Sequence, residues 1–238
     1  MDTGKRAVIY IASGQQYIDE ARVSARSING QYPCILCTPD VSEAEGFDSV
    51  LNLTYRQFDY WYLDEVNYLN FVFDRLINYD RLLLLDTDTY VCGVLTDFFT
   101  VLDRFDIAGT HAIARETQNI RDDIPASFPE LHVGAISFNR SDTVAKLFGL
   151  WFELYRSNPK FYKNNDQGPL REALWKSNDV RPGILPGEFC FRFRWGGLIG
   201  REVRVLHGRE YGKSSYEEIA EEVNSGKGPR VYKRRELA

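Results

Sequence analysis

Four consecutive leucines, residues 82–85, run directly into Asp86-Thr87-Asp88. A short, unbroken apolar run reads as a strand buried on both faces of an α/β sheet. Such a strand has no packing reason to end in two carboxylates one residue apart. They repel each other, and burying either one unpaired costs several kcal/mol. Two readings answer this. The pair caps the next turn, where Asp is common. Or it holds a cation, since Asp-x-Asp offers hard oxygen ligands suited to Mg2+ or Mn2+ and shareable with phosphate oxygens. The apolar approach favours the cation, because open α/β sheets bind ligands at the carboxyl ends of their strands.

The rest of the chain supplies the strands and helices of such a sheet. Residues 6–12 form a first strand ending at Ser13-Gly14, and residues 15–29 a helix with Ile18, Ala21, Ala25 and Ile28 on one stripe, closed by Asn29-Gly30. Residues 34–38 and 49–53 are two further strands. Residues 59–78 read as a long helix carrying Tyr62, Val66, Leu69, Phe73 and Ile77 on one face. After Asp88, residues 95–105 read as a helix and 106–110 as a strand. The polar stretch 112–129, with Arg115, Glu116, Arg121, Asp122 and Asp123, reads as a lid or acceptor-binding loop. Residues 131–138 form another strand, antiparallel or mixed. Ser141 caps a helix to about Ser157, and Asn164-Asn165-Asp166-Gln167-Gly168 opens one running through Leu174. From Val180 the chain reads as irregular, with an aromatic segment at 189–195, until a short strand, 203–206, ends at His207-Gly208. Strands alternating with helices predict a mainly parallel, doubly wound sheet.

With 238 residues, 44% hydrophobic and 26% charged, the chain has the composition of one large globular domain. A net charge of −5 argues against nucleic acid as a partner, because binding a phosphate backbone wants a basic surface. The basic run 227–235 reads as a solvated tail, or at most as a peripheral contact with an anionic membrane. Cys34 and Cys37 form a C-x-x-C inside a strand, where residues three apart point to opposite faces, so a shared zinc is disfavoured. The four cysteines read as reduced structural thiols, and with no long apolar run at the start, a cytoplasmic protein is expected.

Five segments in order resemble GT-A-type, metal-dependent nucleotide-sugar glycosyltransferases, near the glycogenin-like family 8. They are residues 9–14 followed by Tyr17 and Ser24, residues 82–89, residues 131–139, Asn165-Asp166-Gln167, and Leu206-His207-Gly208. The resemblance implies a single α/β GT-A-like domain. It has a nucleotide-binding half (1–110), a sugar and acceptor half (111–213), and a C-terminal helix with a basic tail (214–238). It implies that Asp86, Asp88 and His207 hold Mn2+ or Mg2+. It places Ala12, Ser13, Gly14, Tyr17, Asp86, Thr87, His132, Gly208 and Lys213 at the donor, a nucleotide-diphosphate sugar with UDP the expected carrier, and Asp166 and Gln167 at the transferred sugar. The acceptor class it implies is a glycan, glycolipid or glycoprotein hydroxyl.

The sequence departs from the family pattern in places. His132 stands where Asn is usual, and Asn70 where a phosphate-contacting Lys often lies. The Lys-Pro-Trp after the terminal His is absent, leaving Lys213 as the nearby basic residue. His132 reads equally as a strand-edge histidine, and His111 as structural. Family 8 retains anomeric configuration. Inversion would instead need a carboxylate base, for which Asp122, Asp123, Asp166 and Glu188 are candidates. Two rival enzymes share the motif's chemistry, a sugar-1-phosphate nucleotidyltransferase and a haloacid-dehalogenase-type phosphatase. The first lacks its Gly-rich signature here. The second wants its Asp-x-Asp near the N-terminus, with Thr or Val where this chain has Tyr90. A non-catalytic sugar-binding module is the third alternative.

Overall fold

The structure, a computed structural model, describes residues 4–40, 45–53, 61–112, 121–162, 165–209 and 214–233. Its elements in chain order are β1 (Arg6–Ile11), α1 (Gln15–Ser27), β2 (Cys34–Thr38), β3 (Ser49–Asn52), α2 (Trp61–Arg75), β4 (Arg81–Leu85) and β5 (Thr89–Val91). There follow α3 (Thr96–Thr100), β6 (Ile107–His111), β7 (Leu131–Asn139), α4 (Asp142–Ser157), α5 (Gln167–Lys176), β8 (Pro182–Leu185), β9 (Gly197–Ile199), β10 (Val205–His207), α6 (Tyr216–Asn224) and β11 (Arg230–Tyr232).

A seven-stranded sheet in the order β3-β2-β1-β4-β7-β6-β8 forms the centre. β3, β2, β1 and β4 run parallel. β7 runs antiparallel to both β4 and β6, and β6 is parallel to β8, so β7 alone is reversed. The mainly parallel α/β sheet expected from the alternation of elements is present. The leucines of β4 show why its sequence is continuously apolar. Leu82 and Leu84 pack into one core with α2, α4 and α5, while Leu83 and Leu85 pack into the core on the other face with α1 and α3. Each buried leucine contributes roughly 1.5–3 kcal/mol. Cys37 and Cys34 divide between the same two cores, so the C-x-x-C does not converge on one point.

Several expectations are corrected. α2 ends at Arg75, so Ile77 lies beyond the helix and is 64% exposed; Leu76 takes the core position instead. Asp59 and the other residues of 54–60 fall outside the described residues, as does the side chain of Tyr62. The helix expected over 95–105 is the short α3 followed by a 3-10 turn at Val101–Asp103. The stretch after Val180 is not irregular throughout. β8 begins at Pro182 on the sheet edge, where a strand's first residue needs no N–H for the ladder. β9 pairs with β11, and Arg230–Tyr232 of the expected tail is that strand. Of the polar loop, residues 113–120, with Arg115 and Glu116, lie outside the described residues. Its second part is held against α5: the buried Arg171 guanidinium donates to the carbonyls of Pro125 and Phe128, and Arg121 pairs with Glu172 at 3.0 Å.

Candidate active site

The end of β4 delivers Asp86 and Asp88, and a second small sheet delivers the residue facing them. Asp86 N–H donates to the Gly134 carbonyl (3.0 Å), which ties the strand end to β7. β5 then pairs antiparallel with β10, with His207 opposite Thr89. Gly208 N–H donates to the Asp88 carbonyl (2.9 Å), with Gly208 at φ 120, a left-handed conformation that favours glycine. The result is that His207 Nε2 lies 3.2 Å from Asp86 Oδ2 and 3.2 Å from Asp88 Oδ1. Three potential metal ligands, two hard oxygens and one imidazole nitrogen, thus converge from distant parts of the chain.

The surroundings are strongly acidic. Glu65 on α2 and Asp166 at the start of α5 are both buried. Burial, then the charge of Asp86, raises the Asp166 carboxyl to about 7. Burial, then Asp86, Asp166 and Asp88, raises Glu65 well above the usual carboxylate range. For Asp88, burial works upward, but hydrogen bonding from His207 and the charges of His207 and Arg209 bring it below its ordinary value. Burial opposes a charged His207, yet Cys190, Asp86 and Asp88 together raise it well above the ordinary histidine range. The imidazolium and the Arg209 guanidinium are positive groups that face these carboxylates. A divalent cation fits this donor set better. It compensates more than one carboxylate and takes the Nε2 lone pair directly.

Asp166 is placed by the core. Trp151, 1% exposed on α4, donates its indole N–H to the Asp166 carbonyl at 2.9 Å. Next to it, Gln167 Oε1 is buried with no hydrogen-bond partner among the described residues.

The nucleotide-side expectations sit around α1. Asp40 accepts from Ser13 Oγ (3.2 Å) and Gly14 N–H (2.7 Å), shaping the turn after the buried Ala12. Thr87 Oγ1 donates to Glu20 (3.1 Å). Tyr17 lies under the Arg209 guanidinium, 5.7 Å from ring centroid to Cζ. His132 lies behind His207, its ring edge-on to it with centroids 4.7 Å apart, and its Nδ1 accepts from Gly134 N–H at 3.2 Å. Lys213 lies outside the described residues. Among the proposed bases, Asp123 is paired with Arg121 at 2.7 Å and Glu188 accepts from the Arg201 backbone N–H at 2.9 Å.

Sequence reasoning did not single out Glu65, Cys190 or Arg209. Glu65 had a usable signal. Positions 65, 69, 72 and 76 step by four, three and four, so a carboxylate occupies the apolar face of α2. Arg209 holds Glu20 at 2.6 Å and lies 3.7 Å from Asp88, which makes it the cation beside the acidic end of β4. Cys190 meets His132 and His207 only through tertiary packing.

Gly134 is required by this packing. A Cβ there would stand 2.4 Å from His207 Cε1, 2.5 Å from its Nδ1 and 2.7 Å from His132 Cε1. Gly134→Ala is expected to displace both rings. Overpacking should cost about 1–3 kcal/mol of stability, and misorienting a ligand should weaken Mn2+ binding about 10–100-fold. Thermal melts and Mn2+ titration measure the two effects separately.

The fold is GT-A-like, the one shared by several solved glycosyltransferases. No family model and no curated protein sequence matches the chain, so the likeness is one of structure. The glycosyltransferase GlyE of Streptococcus pneumoniae is 18% identical with TM-score 0.61, over 92% of this chain and 60% of its own. The galactosyltransferase LgtC, solved with donor and acceptor sugar analogues, is 13% identical with TM-score 0.58, over 78% of this chain and 75% of its own. The bifunctional glycosyltransferase WbbM is 15% identical with TM-score 0.55; the match covers 82% of this chain but only 41% of WbbM. At identities this low it is the TM-scores, all above 0.5, that establish a common fold, and they establish the fold alone. Among the described residues, no helix is long and apolar enough to cross a membrane.

Proposed function

We propose that this protein is a metal-dependent glycosyltransferase that moves a hexosyl or deoxyhexosyl group from a nucleotide-diphosphate sugar, with UDP the favoured carrier, to a hydroxyl of a glycan, glycolipid or glycoprotein. The observation that carries this reading is the convergence of Asp86, Asp88 and His207 within a ring of further buried carboxylates. Carboxyl groups crowded so closely that two of them hold their protons well above the usual range call for a cation. The glycosyltransferase neighbours, one of them holding donor and acceptor sugar analogues, supply the reaction class.

Asp86, Asp88 and His207 would hold Mn2+ or Mg2+, which, when bound, neutralises charge developing on the diphosphate leaving group. The chain's own groups do the rest. Arg209, beside Asp88, is the guanidinium that meets the phosphates, together with Lys213, the basic residue that the resemblance implies there. Tyr17, against Arg209, lines the nucleotide side with the Ala12-Ser13-Gly14 turn, Thr87 and Gly208. Asp166 and Gln167 face the transferred sugar. Once ionised, Asp166 places negative charge where positive charge grows at the anomeric carbon, and Gln167 Oε1 accepts from a sugar hydroxyl. Retention of configuration follows the family 8 resemblance. A cytoplasmic location belongs to the same proposal, as does contact with membranes no closer than peripheral.

Calorimetric titration of UDP and GDP, each with Mn2+ and with EDTA, tests the reading. UDP binding that needs Mn2+ is expected. If neither nucleotide binds, or if EDTA leaves binding intact, the proposal fails. Product analysis separates the rivals, since a transferase releases nucleoside diphosphate, a nucleotidyltransferase pyrophosphate and a phosphatase free phosphate.

A further inference from the structure

On the side of His207 away from the Asp-x-Asp carboxylates lies a second donor set, made of soft atoms. Cys190 Sγ is 3.5 Å from His132 Nδ1 and 3.6 Å from His207 Nδ1. The three residues' ligating atoms all lie within 4.8 Å of one another, and all three residues are buried. A tetrahedral zinc, with Zn–S about 2.3 Å and Zn–N about 2.0–2.1 Å, spaces sulfur from nitrogen by about 3.5–3.6 Å. Both sulfur–nitrogen separations match that spacing. We propose that His132, Cys190 and His207 form a site for a thiophilic divalent cation such as Zn2+, and that filling it excludes the cation of the Asp-x-Asp site.

The chemistry of the two sites differs in kind. Thiolate and imidazole select soft and borderline ions, while paired carboxylates suit Mg2+ and Mn2+. Binding displaces the Cys190 thiol proton to solvent and involves no redox step. It also replaces the Gly134 N–H contact on the His132 Nδ1 lone pair, a long one at 3.2 Å. Exclusion follows from His207 itself. A neutral imidazole has one lone-pair nitrogen and one N–H. A cation on Nδ1 leaves the proton on Nε2, which then donates to Asp86 and Asp88, each 3.2 Å away, and cannot ligate. A cation on Nε2 puts the proton on Nδ1, facing Cys190 Sγ. The tautomer of one ring thus decides which site is open, and a thiophilic ion becomes an inhibitor of the proposed transfer reaction. Only this inhibitory consequence rests on the transferase reading; the site does not.

Co2+ titration of the full chain tests it, because thiolate ligation gives an intense near-ultraviolet charge-transfer band that carboxylate and imidazole do not. The band is expected in wild type and in Asp88→Asn, and Zn2+ should displace it. It should vanish in Cys190→Ser and weaken in His132→Gln, which keeps the thiol. No band in wild type, or a band that survives Cys190→Ser, overturns the proposal. Competition is read with Mn2+ by paramagnetic resonance. Zn2+ at about ten times its own dissociation constant should raise the apparent Mn2+ constant about tenfold in wild type and leave it unmoved in Cys190→Ser. Equal competition in both shows that Zn2+ occupies the carboxylate site and overturns the exclusion. Because the cobalt band in Asp88→Asn needs no transferase activity, failure of this site and failure of the transferase reading are told apart.

Discussion

Asp88→Asn is expected to lower kcat/KM for sugar transfer by about 10³-fold or more, since it removes a ligand of the ion that stabilises charge in the transition state. The side chain is largely enclosed, at 17% exposure, and sits 3.2 Å from His207 Nε2 and 3.7 Å from Arg209. Asparagine fills the same volume but offers a neutral oxygen to the cation. The fold should survive, because the bonds that place this turn are made by backbone atoms. Gly208 N–H donates to the Asp88 carbonyl, and Thr89 keeps its register with His207. The variant should therefore melt within a few degrees of wild type while losing Mn2+-dependent UDP binding in calorimetry. Nucleoside diphosphate release at undiminished rate would sink the assignment of Asp88, and retained UDP binding in the absence of metal would sink the role of the ion.

The sheet was readable because its signals are local. The continuous apolar β4 is split between two cores, residue by residue, as a strand covered on both faces must be. The direction of β7 was only half readable: residues 131–138 read as antiparallel or mixed, and the fold makes the strand antiparallel to both neighbours. Strand direction there depends on how residues 112–130 return the chain, and that path has no periodicity. β5, β9 and β11 are three-residue strands, too short to carry a period of two, while the strand read at 203–206 is β10, shifted to Val205–His207. The site divides in the same way. Asp86 and Asp88 announce themselves because charge follows an apolar strand. His207 stood out only through the family resemblance, since one histidine at a strand end carries little information by itself. Cys190 and Arg209 gain their significance from neighbours 17 to 189 residues away in sequence, a proximity that only the folded chain creates.

Asp166→Asn is expected to stabilise the ion-free protein at neutral and alkaline pH while disabling it. The carboxyl is raised from the ordinary 3.8 to about 7 by burial and by Asp86. Such a group binds its proton more tightly folded than unfolded. Folding therefore takes up a proton between about pH 4 and about pH 7, and wild-type stability falls as pH rises through that window. The size of the shift sets an upper bound of ~4 kcal/mol for this loss. Sharing among the neighbouring carboxylates brings the expected gain for asparagine at pH 8 nearer ~2 kcal/mol, or about 5 °C in Tm. Glu65, also raised, contributes with the same sign, so the variant keeps part of the pH slope. In wild type, Mn2+ should recover the part of the lost stability that Asp86 causes, because the ion screens that charge, while the larger part due to burial remains. The asparagine variant should gain less from the ion. Its kcat should fall about 10²-fold or more if the ionised carboxylate stabilises charge at the sugar. Melting curves from pH 4 to 8, with and without Mn2+, decide the matter. A variant no more stable than wild type at pH 8 would show that Asp166 is not held against its own charge. A stabilised variant with full activity would remove it from the sugar side of the reaction.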